Sequence, residues 1–97
     1  MIIAVTTEWG NDFERFAYYR VENGKLKERE EAPVAPGGAE GLAKQLVGLE
    51  VDLLLGCQLS GELCQALDEA GVLVIGNLPP ERADVTLTGY LDGSLNF

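Results

Sequence analysis

An α/β fold is what this sequence predicts: a five-stranded mixed sheet flanked by three helices, in the order β-β-β-α-β-α-β-α. Three observations predict it. Short apolar runs with two-residue alternation fill residues 1–31, around one hairpin signal, Asn23-Gly24. At Ala39 the apolar period lengthens from two to 3.6 residues. Beyond it, short apolar runs alternate with amphipathic stretches, the pattern of strands joined by crossover helices.

The elements follow in order. Ile2 to Val5 reads as a short buried strand, and Glu8 to Asp12 as a loop with Gly10-Asn11 as its turn residues. Phe13 to Val21 is a strand in which Phe16 and Tyr18 face one way and Ala17, Tyr19 and Val21 the other. Asn23-Gly24 suits a type I′ turn, which needs positive φ at both central positions. Lys25 to Glu31 has one large apolar residue, Leu26, so it belongs at a charged sheet edge. Residues 32–38 form a loop. Ala39, Leu42, Ala43, Leu46 and Val47 then share one helix face. Val51 to Leu55 predicts a strand buried on both faces, with Asp52 as its one charge. Ser60 fits an N-cap, Glu62 suits the first turn, and Gly71 ends the helix as a C′ glycine. Leu63, Ala66, Leu67 and Ala70 make its apolar face. Val72 to Ile75 predicts another buried strand. Pro79-Pro80 can start a last helix, with one proline near N1 and with Ala83, Leu87, Tyr90 and Leu91 turned inward.

Ninety-seven residues, 46% of them hydrophobic and 24% charged, make one domain over residues 1–97 with a single core. The net charge is −9. Residues 1–44 hold eight acids against six bases, whereas residues 45–97 hold eight acids against Arg82 alone. Such a surface repels phosphate backbones, which argues against nucleic acid and anionic membranes as partners. Residues 1–5 are apolar, but Thr6, Thr7 and Glu8 end the run, and no stretch approaches the ~20 residues of a membrane span. The expected location is the cytoplasm, where Cys57 and Cys64 would be reduced thiols.

Those two cysteines are the first candidates for chemistry. Cys57 follows Gly56 at the carboxyl end of a strand and precedes the helix capped by Ser60, a usual ligand position in open α/β sheets. The helix dipole would favour its thiolate, while the alternative is a small buried hydrophobe. Cys64 lies one turn into the helix beside Leu63 and Leu67 and reads as structural. The C-x6-C spacing matches no strong zinc or iron–sulfur pattern, and C-x-x-C is lacking. Gly37-Gly38 could offer main-chain N–H groups to an anion or simply lead into a helix. Trp9 is a contact surface or a lid over the core, and Tyr18 and Tyr19 read as sheet packing. With no histidine in the chain, no general base near neutral pH suggests itself, and the protein is expected not to be an enzyme.

Several phrases, in order, resemble the dinitrogenase iron–molybdenum cofactor biosynthesis family. MIIAVTT is similar to its opening strand. FERFAYYRVENGKLKERE is similar to its aromatic strand and the hairpin after it. PGGAEGLAKQLVGLEVDLLLGCQLSGELCQALDEAGVLVIG is similar to its glycine-led helix, central strand and closing strand, and GYLDGSL to its last helical turn. The resemblance implies a ribonuclease H-like motif. It also implies a small carrier or chaperone for an iron–sulfur or iron–molybdenum cluster, in a cavity at the carboxyl end of the sheet, with a client protein to receive it. Carried onto this chain, the cavity would involve Asn11, Asp12, Gly38 and Cys57, with Cys57 as the metal ligand. One departure stands out. Family members commonly carry His-Phe-Gly-Arg before the aromatic strand; here the stretch is Asp12-Phe13-Glu14-Arg15, so a hard carboxylate replaces the imidazole. The alternative implied is a member without the ligand histidine, serving as a protein-interaction or regulatory module, with a homodimer as one form.

Overall fold

In a computed structural model, residues 1–10 and 13–93 are described. They form five strands: β1 (Ile2–Val5), β2 (Arg15–Glu22), β3 (Lys25–Pro33), β4 (Leu53–Leu55) and β5 (Leu73–Ile75). The three helices are α1 (Gly38–Gly48), α2 (Gly61–Glu69) and α3 (Ala83–Asp92), and a 3-10 turn covers Thr7–Trp9. The sheet order is β3-β2-β1-β4-β5. β1 pairs antiparallel with β2, and β2 with β3, while β1, β4 and β5 run parallel. This is the five-stranded mixed sheet with three helices expected of a ribonuclease H-like motif.

The hairpin forms where its turn residues place it. Asn23 and Gly24 both take positive φ, 53° and 74°, which lets the strands keep their twist through a two-residue connection. A register shift between Arg20 and Val21 bends β2. β3 is longer than expected by Ala32 and Pro33, because Phe16 and Arg15 continue the ladder opposite them. Proline is tolerated there because β3 is an edge.

Alternation divides the core between the two faces of the sheet. On one face, Ala4, Phe16 and Leu54 meet Leu42, Ala43 and Leu46 of α1 and Leu63 and Leu67 of α2. On the other, Ile3, Val5, Ala17, Tyr19, Leu53 and Leu55 meet Ala83 and Leu87 of α3. Burying one such leucine contributes about 1.5–3 kcal/mol. Gly41 lets α1 settle against the incoming chain, since a Cβ there would run into the Pro36 carbonyl oxygen.

Three expectations need correction. Val47, on the expected inner face of α1, is half exposed because it borders the open groove between α1 and α2. β5 is an edge strand rather than a fully buried one, and its Leu73 is 68% exposed. Pro79 and Pro80 precede the last helix instead of starting it. Arg82 is the N-cap, in an extended conformation, because the Leu78 and Glu81 N–H groups donate to the Gly56 and Thr7 carbonyls and hold the preceding segment out of the helix.

Candidate functional site

The carboxyl ends of β1 and β4 lie side by side, and the loops that leave them build the candidate site. The loop after β4 is held tightly. The Cys57 carbonyl accepts the Asn77 N–H at 2.7 Å, and the Gly56 carbonyl accepts the Leu78 N–H at 3.1 Å. A Cβ on Gly56 would come within 2.9 Å of Thr6 Oγ1 and 3.1 Å of Leu59, so glycine lets the strand end pass beneath the Thr6 side chain. Thr7 adds a buried contact to α3, with 2.9 Å between its Oγ1 and that of Thr86.

Cys57 sits inside this clasp. It is 3% exposed, and its thiol donates toward the Thr7 carbonyl at 3.9 Å. Burial pushes its pKa above the ordinary thiol value. The sequence left two readings open, a thiolate favoured by the α2 dipole and a small buried hydrophobe; the burial of the thiol and its raised pKa accord with the second. Cys64 is half buried on α2, and the two cysteines are free thiols.

Gly38 belongs to a different recess. Gly37 caps α1 in a left-handed conformation, φ 106°, and Gly38 follows at φ 67°. The α1 N-terminus, at Gly38 and Ala39, opens on a hollow of about 270 Å³ shared with Ser60, Glu62 and Leu63 of the α2 N-terminus and with Phe13. Ser60 caps α2 as expected, its Oγ accepting the Leu63 N–H at 3.1 Å. Gly38 and Cys57 are therefore at one end of the molecule, but Cys57 does not line the hollow. Asn11 and Asp12 lie outside the described residues. Among the described residues, no group of three or more cysteines and acids is placed to hold a metal ion. Direct ligation by the Cys57 thiolate does not fit this geometry, because the thiol would need both deprotonation and exposure.

Aromatic residues settle more simply. Trp9 packs against the core on the α3 face, so it is a lid. Tyr18 donates from its hydroxyl to Glu30 at 2.6 Å across the β2–β3 pair. Tyr19 is fully buried, and the Arg29 guanidinium lies 5.7 Å from its ring centroid. Burial raises the pKa of Tyr19, opposed by the positive charge of Arg29. Sequence reasoning missed Glu8. Its carboxylate accepts the Ala83 N–H at 3.2 Å and faces Arg29 at 4.0 Å. Nothing local to Glu8 signals that contact, which spans most of the chain.

Among the solved structures that share this fold, two cover nearly the whole chain. PH0822 superposes with a TM-score of 0.84 at 18% identity, over 100% of this chain and 96% of the other. A protein of Methanocaldococcus jannaschii, described as a "putative dinitrogenase", superposes with a TM-score of 0.72 at 15% identity, over 99% of this chain and 92% of its own. No family model matches the chain, and no curated protein matches it. The likeness is one of fold, with a nitrogenase-related name on one neighbour.

Proposed function

We propose that this is a non-enzymatic binding protein whose cargo is an anionic metal–sulfur cofactor or its precursor, passed on to a client protein. The observation that supports this most is the hollow onto which the N-termini of α1 and α2 both open. The first N–H groups of a helix have no partner within it, and they carry partial positive charge. Two such ends on one recess favour an anion without any side-chain ligand. Gly38 and Ala39 leave the α1 end free of bulk, whereas the Glu62 carboxylate lines the α2 side and repels negative charge there, so the α1 end is the one suited to an anion. A recess of about 270 Å³ is at the small end for ligand sites, so the cargo would sit partly outside it, as suits a carrier that must release it. The neighbour described as a "putative dinitrogenase" and the ordered sequence phrases support the same reading.

The test is anaerobic addition of iron–sulfur or iron–molybdenum cluster, with bound iron measured after desalting. The native chain and Cys57→Ser retain iron, and Ala39→Glu, which puts a negative charge in the hollow, loses most of it. Iron lost from Cys57→Ser but not from Ala39→Glu would transfer the role to the thiol.

A second reading is a protein-interaction or regulatory module. The burial of Cys57 and the Asp12 at the position of the family histidine favour it. Native protein that retains no iron and co-purifies with a stable partner would decide for this reading.

A further inference from the structure

One wall of the hollow belongs to no helix or strand. Residues 34–37 cross from the end of β3 to the start of α1, and they bring Val34 and Ala35 to the lining. Val34 is anchored. Its N–H donates to the Glu14 carbonyl at 2.9 Å, and its side chain packs against the core beneath α1 and α2. Beyond Val34 that support fades. Pro36 and Gly37 are exposed, and Gly37 and Gly38, both at positive φ, complete the turn into the helix.

Gln45 holds this span. The Ala35 N–H donates to Gln45 Oε1 at 2.8 Å, and Gln45 Nε2 donates to the Pro33 carbonyl at 2.8 Å. The amide therefore grips the chain on both sides of Val34, with one acceptor and one donor. Gln45 lies four residues after Gly41, on the same face of α1. At Gly41 the Pro36 carbonyl comes so close to the helix that a Cβ has no room. The segment thus lies along α1, pressed against Gly41 and latched at Gln45. Exposed residues held by a polar grip at the solvent edge form a region that opens at low cost.

We propose that Gln45 is a positioning residue of the hollow: its amide sets the Val34–Ala35 wall, and unlatching that wall admits and releases the cargo. This rests on the cargo reading and gives it a gate. The size of the recess supports it. At about 270 Å³ the hollow is at the small end for a ligand site. Turning the wall about Gly37 widens it while α1 and α2 stay in place, so the N–H groups that attract an anion are kept.

The test compares the full chain with Gln45→Ala, a substitution that suits a helix interior and leaves both helix N-termini as they are. Hydrogen exchange on 15N-labelled protein reads the latch. Ala35 should exchange about tenfold faster in Gln45→Ala, as the loss of the latch bonds implies, while Leu63, bonded to Ser60 across the hollow, keeps its native rate. Gln45→Glu, which keeps an acceptor for Ala35 but cannot donate to Pro33, should fall between the two. Iron–sulfur cluster added anaerobically reads the consequence. Gln45→Ala should take up iron, and lose it to a chelator, about tenfold faster, with the iron held at saturation unchanged. Native exchange at Ala35 in Gln45→Ala overturns the latch. Native rates of uptake and loss, or a lower saturation with no change in rate, overturn the gate and leave the cargo reading standing. A native chain that takes up no iron overturns both together.

Discussion

α2 and α3 begin at the same end of the molecule and solve the same problem by different means. Each helix starts with main-chain N–H groups that lack partners within the helix. α2 satisfies one from three residues away, through Ser60 Oγ and Leu63 N–H. α3 satisfies its Ala83 N–H from a distance of 75 residues, through the Glu8 carboxylate. The first cap travels with the helix. The second exists only once β1 and α3 are docked, so α3 depends on tertiary structure for its own start. The two layers differ accordingly: α1 and α2 cover one face together, and α3 covers the other alone.

The sharpest way to probe that contrast is to cut each layer's core. Leu67→Ala in α2 and Leu87→Ala in α3 remove fully buried side chains, and each should cost about 2–5 kcal/mol by denaturant titration. Glu8→Ala should uncap α3 and Ser60→Ala should uncap α2, each costing about 1 kcal/mol. Because the sites share no partner, the double variant should lose the sum. Hydrogen exchange should separate them: Ser60→Ala speeds the first turn of α2, whereas Glu8→Ala speeds α3 and the Thr7–Trp9 turn together. A Glu8→Ala variant with unchanged exchange at Ala83 would remove the distinction.

Alkaline pH offers a gentler lever. Burial raises the folded pKa of Cys57 above its ordinary 9.0 and that of Tyr19 above its ordinary 10.0. The folded state therefore holds these protons more tightly than the unfolded state. The stability they contribute is complete below the ordinary values and is lost as pH climbs from there through the raised ones. Denaturation midpoints should fall in that range, and Cys57→Ala should remove the lower part of the fall. The smallest effect belongs to the surface ion pairs. Arg20 and Glu28 are 3.4 Å apart with both side chains at least half exposed, so Arg20→Ala should change stability by no more than ~0.5 kcal/mol.

The candidate site was only partly legible. Ser60, Glu62 and Gly71 have roles that depend on positions within a few residues, so spacing alone revealed them. Gly38 stands at a helix start, as the sequence indicates. The hollow it helps to line was not foreseeable, because Phe13, Leu63 and Ser60 reach it from other elements. Cys57 stands at the end of β4 as the sequence indicates, and of its two readings, thiolate ligand or small buried hydrophobe, its burial accords with the second. Its position in the chain shows a nearby helix start but not how deeply the thiol is buried, which depends on the distant segments held against its loop. Val47 and Leu73 fitted their periodic patterns and still came out exposed, since a pattern says which face a residue occupies and not whether anything covers that face.

What the sequence by itself determined was the kind and order of the elements: the period of two before Ala39, the period near 3.6 after it, and the positive-φ turn at Asn23-Gly24. These rest on local backbone preferences and on alternation, which are properties of neighbouring residues. Only the tertiary structure decided which strands became edges, which N–H group Glu8 would cap, and that the Cys57 thiol would be a buried donor. Each of those outcomes depends on which distant surface excludes water from a group, and desolvation is set by packing across the whole chain.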